Sequence, residues 1–269
     1  MQQREVFKYY RKYSEDLETA YSIIKSCFTK SYSEYADEIC QLRGYTGEEQ
    51  RALLESMEIG CCEIPDVTVL GDRRMELGLV SDKDNFLLNG RYIIPIRDIT
   101  GTLVALVGWY PDWKKYITTR SVFFSKNVLF FNIDQAYELS WKEYNGILFV
   151  VEGLFDALSL RAIGLPAVAT MGVTVRNPKS EQLKLFRKSV ALPDSDKAGK
   201  RALSRGTKHS WAVPPNTTFA RLQGNCVTEF GTLKVKDVDN LVSYFDVEGV
   251  RETFLELAKS TEELEIIRL

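Results

Sequence analysis

The stretch Ile147-Leu-Phe-Val-Val-Glu-Gly-Leu-Phe-Asp156 decides the fold of this 269-residue chain. Its first five residues are all apolar, which is typical of a strand that is buried on both faces of a parallel sheet. The strand is predicted to end at Glu152. From Leu154 the apolar residues recur at helical spacing, and Gly164 is suited to a left-handed helix cap. The pattern therefore predicts a strand, a turn that carries a carboxylate, and a helix.

A second stretch of the same kind follows later in the chain, Ser189-Val-Ala-Leu-Pro-Asp-Ser-Asp-Lys-Ala-Gly199. Val190 to Leu192 is predicted to be a short buried strand. Residues two apart on an extended chain point the same way, so we expect the side chains of Asp194 and Asp196 to converge. Two such carboxylates repel unless one takes up a proton or a divalent cation lies between them. This stretch therefore predicts a site for Mg²⁺ or Mn²⁺.

A third acidic group, within Lys236-Asp-Val-Asp239, follows another predicted strand. In an open, doubly wound sheet the loops at the carboxyl ends of adjacent strands open into one crevice. We therefore predict an α/β fold with a mainly parallel, Rossmann-like sheet. Three acidic groups are expected to face its crevice: Glu152, the pair Asp194 and Asp196, and the pair Asp237 and Asp239.

These motifs resemble the Toprim fold, which primases, type IA and type II topoisomerases and some small nucleases share. The family pattern is Glu-Gly-x-x-Asp after a hydrophobic strand, followed by Asp-x-Asp-x-Ala-Gly. The residues that match it are Glu152, Gly153, Asp156, Asp194, Asp196, Ala198 and Gly199.

The segment between Phe86 and Lys126 resembles the catalytic core of DnaG-type bacterial primases. Its motifs keep the order and spacing of that core: Phe86 to Ile96, Asp98 to Gly101, Val107-Gly108, Lys115 to Thr118 and Phe124 to Lys126. The resemblance extends from about Gly44 to about Phe245. It departs from the family pattern after Gly108, where Trp109 replaces an arginine, and after Gly172, where Val173 replaces a threonine.

The resemblance implies a Toprim domain preceded by a small mixed α/β primase-core subdomain, with helical segments at both ends. Four segments are expected: a helical N-terminal segment (1–42), the subdomain with a basic groove (43–140), the Toprim catalytic domain (141–245) and an acidic C-terminal helix (246–269).

The implied activity is synthesis of short RNA primers from nucleoside triphosphates on a single-stranded DNA template. Two Mg²⁺ or Mn²⁺ ions would lower the pKa of the attacking 3′-hydroxyl and neutralise charge on the departing pyrophosphate. The expected metal ligands are Glu152, Asp194, Asp196, Asp237 and Asp239, and the first three of these are expected to be catalytic. Glu152 could serve as proton acceptor instead of ligand. Gly153 and Asp156 are expected to support the ligands, although Asp156 could equally stabilise a helix dipole.

The basic residues are concentrated in two regions, although the net charge of the chain is −2. Between Lys83 and Lys126 there are seven basic and three acidic residues, and between Arg176 and Lys208 there are ten and three. A local excess of this kind is what a phosphate-binding groove requires. The residues expected to hold template or nucleotide are Arg91, Lys115, Lys126 and Lys197.

The chain has five cysteines and one histidine, and the cysteines form no pair of Cys-x-x-Cys motifs. No zinc site is therefore expected. DnaG-type primases usually carry a zinc ribbon and a helicase-binding domain, and neither is recognised here. We therefore expect the activity to need a replicative helicase or a separate zinc-binding protein in trans, as would suit a phage or mobile element. No apolar run reaches the roughly 20 residues that span a bilayer, so a cytoplasmic enzyme with no membrane partner is expected.

Alternative functions use the same residues differently. A Toprim nuclease would use the acidic groups to activate water and cut a phosphodiester, but the primase-like upstream segment argues against it. A topoisomerase would need a tyrosine nucleophile and a gate, for which we find no place. A catalytically reduced accessory protein would bind nucleic acid or a partner without chemistry. The complete acidic set argues against this, since clustered carboxylates are unfavourable without metal.

Overall fold

The computed structural model describes residues 3–63, 65–111, 115–119, 127–172, 175, 179–194, 211–222, 225–228, 231–235, 237–259 and 264–267. The chain divides into two compact units, Met1–Ser125 and Lys126–Leu269. Each unit contains its own main sheet. In the described ranges no helix combines the length and the apolar composition that a bilayer crossing needs.

The first unit contains a four-stranded antiparallel sheet and the helices that precede and follow its first strand. The strands lie in the order β1-β2-β3-β4. Their bounds are β1 Gly60–Cys62, β2 Arg91–Arg97, β3 Leu103–Tyr110 and β4 Lys115–Thr118. The helices are α1 Gln3–Ser26, α2 Tyr32–Arg43, α3 Glu48–Ser56 and α4 Arg73–Glu76, with a 3-10 turn at Val67–Leu70.

Helix α1 is held against this sheet by one apolar face. Leu17 and Ile24 are fully buried in a cluster that also contains Ile93 of β2. Two side chains of the same helix bond to the backbone of β3: the Tyr13 hydroxyl donates to the Val104 carbonyl at 3.3 Å and the Ser14 hydroxyl to the Leu103 carbonyl at 3.0 Å. Apolar burial supplies the main driving force, and the two hydrogen bonds fix the position of the helix along the strand.

The second unit contains a five-stranded parallel sheet in the order β11-β8-β7-β5-β6 and a separate antiparallel pair, β9 and β10. The strands are β5 Ile147–Val151, β6 Ala167–Ala169, β7 Lys188–Leu192, β8 Thr217–Leu222, β9 Asn225–Thr228, β10 Gly231–Lys234 and β11 Leu264–Ile267. The helices are α5 Ile133–Glu143, α6 Leu154–Ala162, α7 Lys179–Gln182, α8 Val238–Tyr244 and α9 Val247–Lys259, with a 3-10 turn at Leu183–Leu185.

Strand β5 lies at the point where the chain reverses its direction across the sheet. From β5 the chain passes through α6 to β6 on one side and then returns to β7 on the other. Ligands of open parallel sheets bind outside the carboxyl ends of the strands at such a switch point. The crevice between the ends of β5 and β7 is therefore where this fold favours a site.

The predicted strands and helix of this region are confirmed. Four of the five residues of β5 and of β7 are buried, and α6 begins directly after Glu152 and Gly153. Gly164 adopts a left-handed conformation with φ of 79°, and its N–H bonds to the Arg161 carbonyl at 2.9 Å. A predicted strand before Lys236 is also present, as β10.

The C-terminal segment differs from the prediction of one acidic helix across residues 246–269. Helix α9 ends at Lys259, and Leu264–Ile267 forms a strand at the edge of the parallel sheet, in register with β8 from Phe219 to Leu222. Acidic residues at helical spacing suggested a continuous helix. The structure instead pairs the backbone of Leu264–Ile267 with the edge strand β8, whose N–H and C=O groups need partners.

Candidate active site

Glu152 lies at the carboxyl end of β5, where the sequence predicts it. Its backbone carbonyl accepts a hydrogen bond from the Met171 N–H at 3.1 Å. The Thr170 hydroxyl, which donates to the Gly172 carbonyl at 2.5 Å, also lies 3.4 Å from the Glu152 carbonyl. The Thr170 N–H bonds in turn to the Val151 carbonyl at 2.9 Å. Met171 has a positive φ of 55°, which is uncommon for a residue with a side chain. The turn after β6 is thus bonded to the backbone of the candidate catalytic residue.

Asp156 is buried and joins the amino ends of two helices. One of its oxygens, Oδ2, accepts the Gly153 N–H at 3.0 Å, and the other, Oδ1, accepts the Asp239 N–H at 2.8 Å. A Cβ atom at Gly153 would lie 2.4 Å from Oδ2, so a larger residue there would displace the Asp156 carboxylate. Asp156 therefore stabilises the first turn of α6, as the helix-dipole interpretation predicts, and also fixes the position of α8.

The two aspartates of the third acidic group have different surroundings. Asp237 precedes α8 and caps it, because its Oδ1 accepts the Asn240 N–H at 3.0 Å. Asp239 is buried, and its Oδ1 accepts the Ser159 hydroxyl of α6 at 2.6 Å. The two helices are therefore tied by two side-chain contacts, Asp156 to the Asp239 backbone and Ser159 to the Asp239 carboxylate.

Negative charge accumulates around Asp156. Burial raises the pKa of the Asp156 carboxyl well above its ordinary value, and the charges of Asp237, Asp194 and Asp239 raise it further. The Asp239 N–H bond acts in the opposite direction and is the weaker influence. Asp194, which follows β7, is therefore close enough to Asp156 for its charge to act on that carboxyl. The convergence of the three acidic groups on one metal site stays a prediction.

Asp156, Asp194, Asp237 and Asp239 are called the acidic cluster below. Its side chains are all carboxylates, which suits a hard divalent cation such as Mg²⁺ or Mn²⁺. Burial is the main cause of the raised pKa of Asp156, and a nearby cation would offset the smaller part that comes from the like charges. Within the described ranges, no three Asp, Glu, Cys or His side chains are already grouped as ligands of one ion. Asp196 and Lys197 lie outside those ranges, so the convergence of Asp194 and Asp196 stays a prediction.

Arg91 lies at the start of β2 in the first unit. Its guanidinium carbon is 5.7 Å from the centre of the Tyr110 ring, and its aliphatic stem covers Gly108, where a Cβ atom would lie 2.7 Å from the Arg91 Cδ. Gly108 therefore gives the arginine side chain room to lie on the sheet. Lys115 opens β4 opposite Tyr110, and its side chain, like Lys126, lies outside the described part of the chain.

The departure from the family pattern after Gly108 has a structural explanation. Trp109 is buried and packs on Tyr92 with ring centres 5.4 Å apart. Successive residues of a strand point to opposite faces, so this position contributes to the apolar core on the other side of the sheet from Gly108. Val173, the second departure, lies outside the described residues.

Sequence reasoning missed three residues beside the acidic cluster. Ser159 follows Asp156 at the helical spacing of three, which places both on one face of α6, so this contact was open to prediction. Thr170 and Lys179 gave no comparable signal. Lys179 is fully buried, with its Nζ 2.5 Å from the Thr170 carbonyl and 4.9 Å from the centre of the Phe130 ring.

Comparison with known proteins bears on both motif regions. A Toprim-like family model matches residues 149–213. A DNA primase from Thermotoga maritima is 36% identical over 118 residues, which are 42% of this chain and 20% of that protein. The solved RNA polymerase domain of the Mycobacterium tuberculosis primase DnaG matches with a TM-score of 0.68 at 17% identity, covering 90% of this chain and 82% of that one. This chain has the fold of a DnaG-type primase core.

A solved DnaG primase catalytic domain bound to single-stranded DNA matches the same core fold, with a TM-score of 0.66 at 18% identity over 90% of this chain and 77% of that chain. The resemblance to a DnaG-type core and the α/β class with a Toprim region are therefore confirmed. The chain spans about a fifth of the length of the Thermotoga maritima primase that it matches.

Proposed function

We propose that this primase core synthesises short RNA primers from nucleoside triphosphates on single-stranded DNA. The observation that supports the proposal is the buried Asp156 carboxyl in the first turn of the helix after β5, whose pKa is raised by burial and further by the charges of Asp237, Asp194 and Asp239. Like charges gathered around a buried carboxyl lower stability unless a cation is bound, so their presence argues for chemistry. The DNA primase relative and the DnaG-type core fold supply the reaction class.

We propose that two Mg²⁺ or Mn²⁺ ions bind at the carboxyl edge of the parallel sheet. They would neutralise the charge that develops on the phosphorus and on the departing pyrophosphate. The proposed ligands are Asp194, Asp196, Asp237, Asp239 and Glu152. Glu152 has the further possible role of accepting the proton of the 3′-hydroxyl.

Asp156 and Ser159 support these ligands from α6. Asp156 holds the backbone of Asp239, and Ser159 donates to the Asp239 carboxylate, so both determine where that carboxylate lies. Hydrogen-bonded partners of this kind orient metal ligands and increase metal affinity.

The template and the incoming nucleotide are assigned to basic residues in both units. Arg91, Lys115, Lys126 and Lys197 are the proposed contacts, and the DnaG catalytic domain solved with single-stranded DNA is a precedent for such a template. We also propose that the protein acts in the cytoplasm, together with a replicative helicase or a separate zinc-binding protein in trans. We further propose that it comes from a phage or a mobile element.

The test is primer synthesis from labelled ribonucleoside triphosphates on single-stranded DNA with Mg²⁺ or Mn²⁺. Wild-type protein is expected to make short RNA, and Asp194→Asn is expected to lower the rate at least about a hundredfold. Asp82→Asn, an exposed aspartate of the first unit, is the matched control and should keep the wild-type rate.

Other outcomes of this assay would overturn the proposal in different ways. Metal-dependent shortening of the template without synthesis would identify a Toprim nuclease. Binding of DNA without synthesis or cleavage, even with a helicase and a zinc-binding protein added, would identify an accessory protein. Equal rates of synthesis by wild type and Asp194→Asn would show that the acidic cluster takes no part in the reaction.

A further inference from the structure

A cavity of about 400 Å³, lined by both polar and apolar residues, lies at the edge of the parallel sheet opposite to the acidic cluster. Leu165 and Pro166, which line it, immediately precede β6, and Arg161 belongs to the last turn of α6. The candidate metal ligands instead follow the carboxyl ends of the strands. The cavity is therefore separate from the candidate active site, although α6 contributes residues to both.

Arg161 is the central charged group of this cavity. Its Nη1 donates to the Asn132 Oδ1 at 3.0 Å and its Nη2 lies 3.5 Å from the Gln135 Oε1, and both acceptors are uncharged amides. Among the described residues the carboxylate that acts on Arg161 is that of Asp134, through its charge and not through a direct ion pair. Burial lowers the pKa of Arg161 below its ordinary value. The charge of Asp134 acts in the opposite direction and only partly offsets the loss of water around this guanidinium, so an anion in the cavity would be favoured.

The cavity carries further positive charge from two other helices. Arg251 of α9 donates from Nη2 to the Tyr144 hydroxyl at 3.2 Å, and that hydroxyl donates to the Gly164 carbonyl at 2.6 Å, which fixes the arginine beside the opening. Lys142 lies at the end of α5. Two carboxylates, Glu138 and Glu143, also line the cavity, so the cations exceed the anions by one.

Asn132, which accepts a hydrogen bond from Arg161, is held in place by the sheet and needs no ligand to position it. Asn132 donates from Nδ2 to the Ala167 carbonyl at 2.8 Å, and the adjacent Phe131 pairs with Ala169 as an extra bridge beyond β6. The acceptor for Arg161 is therefore part of the rigid edge of the sheet. A site formed on such elements is preorganised, which reduces the entropy lost on binding.

We propose that this cavity binds a phosphorylated small molecule, with its phosphate between Arg161 and Arg251 and its apolar part against Leu139, Leu165 and Pro166. Two guanidinium groups match the charge and the several acceptor oxygens of a phosphate better than they match a single carboxylate. The volume lies within the range of small-molecule sites. Free phosphate and a phosphate ester share the chemistry that the two arginines recognise.

The test is isothermal titration of the full chain with inorganic phosphate and with phenyl phosphate, in EDTA and at ionic strength matched with chloride. EDTA removes divalent metal, so that the acidic cluster does not attract phosphate. Phenyl phosphate is expected to bind the more tightly because only it can contact the apolar wall. If inorganic phosphate binds and phenyl phosphate does not, the cavity is still an anion site, and its ligand is free phosphate.

Arg161→Gln is expected to weaken this binding at least about tenfold, since charge-assisted hydrogen bonds are lost. Arg187→Gln, an exposed arginine outside the cavity, is the matched control and should bind as wild type does. Arg251→Gln serves as a second variant if Arg161→Gln does not fold, and the same weakening is expected. Absence of binding by either probe, or equal binding by wild type and the cavity variants, would overturn the proposal.

Discussion

The charged residues of the first unit and those of the acidic cluster in the second unit are arranged in opposite ways. In the first unit, basic side chains meet acidic ones: Arg97 bonds to Glu18 at 2.6 Å, and Lys25 bonds to Glu58 at 2.5 Å. At the carboxyl edge of the parallel sheet, burial raises the pKa of Asp156, and the like charges of Asp237, Asp194 and Asp239 raise it further. The first arrangement is compatible with stability alone, whereas the second lowers stability and therefore indicates function.

The largest effect that tests this contrast is expected at Asp156. Asp156→Asn and Asp156→Ala both remove the charge, but only Asn keeps an acceptor for a buried backbone N–H. We expect the free energy of unfolding of the Ala variant to be lower than that of the Asn variant by about 2–4 kcal/mol, because donors remain unbonded and a cavity is left. Urea unfolding in EDTA measures the difference. Equal stabilities would show that the bonds from Gly153 and Asp239 contribute little.

A smaller effect is expected from Ser159→Ala, which removes the hydroxyl that donates to Asp239. The free energy of unfolding should fall by about 1 kcal/mol, and the affinity for Mn²⁺ should fall about tenfold or more. Ser243→Ala on α8 is the matched control, because its hydroxyl donates only to the Asp239 backbone carbonyl, at 2.8 Å. Unchanged Mn²⁺ affinity in Ser159→Ala would contradict the proposal that Asp239 is a metal ligand.

The smallest effect is expected in the first unit, where Glu18→Gln removes the charge of a half-exposed ion pair with Arg97. The free energy of unfolding should fall by about 0.5 kcal/mol, because solvent weakens such pairs, and this loss should shrink in high salt. Mn²⁺ affinity should be unchanged. Urea unfolding at low and high salt, with titration of Mn²⁺, checks both expectations. A change in metal affinity would contradict the separation of roles between the two regions.

The sequence predicted those parts of the site that depend on local pattern. Continuous apolar runs identified β5 and β7, and helical spacing with Gly164 identified α6 and its end. These features were predictable because strand burial and helix capping depend on residues that are close together in the sequence. Glu152 and Asp194 were placed correctly after the ends of β5 and β7 for the same reason.

The remaining features depend on contacts between distant parts of the chain. Strand β11 forms because it pairs with β8, and the residues before it gave a helical pattern. The bond from the Asp239 N–H to Asp156 and the burial of Lys179 require helices and loops to be in place first. Local propensity carries no information about such partners, so these details were not predicted.

The central claim is that the acidic cluster binds divalent metal, and isothermal titration of Mn²⁺ into wild type and Asp194→Asn tests it most directly. We expect the wild type to bind Mn²⁺ and the variant to bind at least about tenfold more weakly, with Asp82→Asn unchanged. No binding by the wild type, or equal affinity in wild type and Asp194→Asn, would contradict the claim.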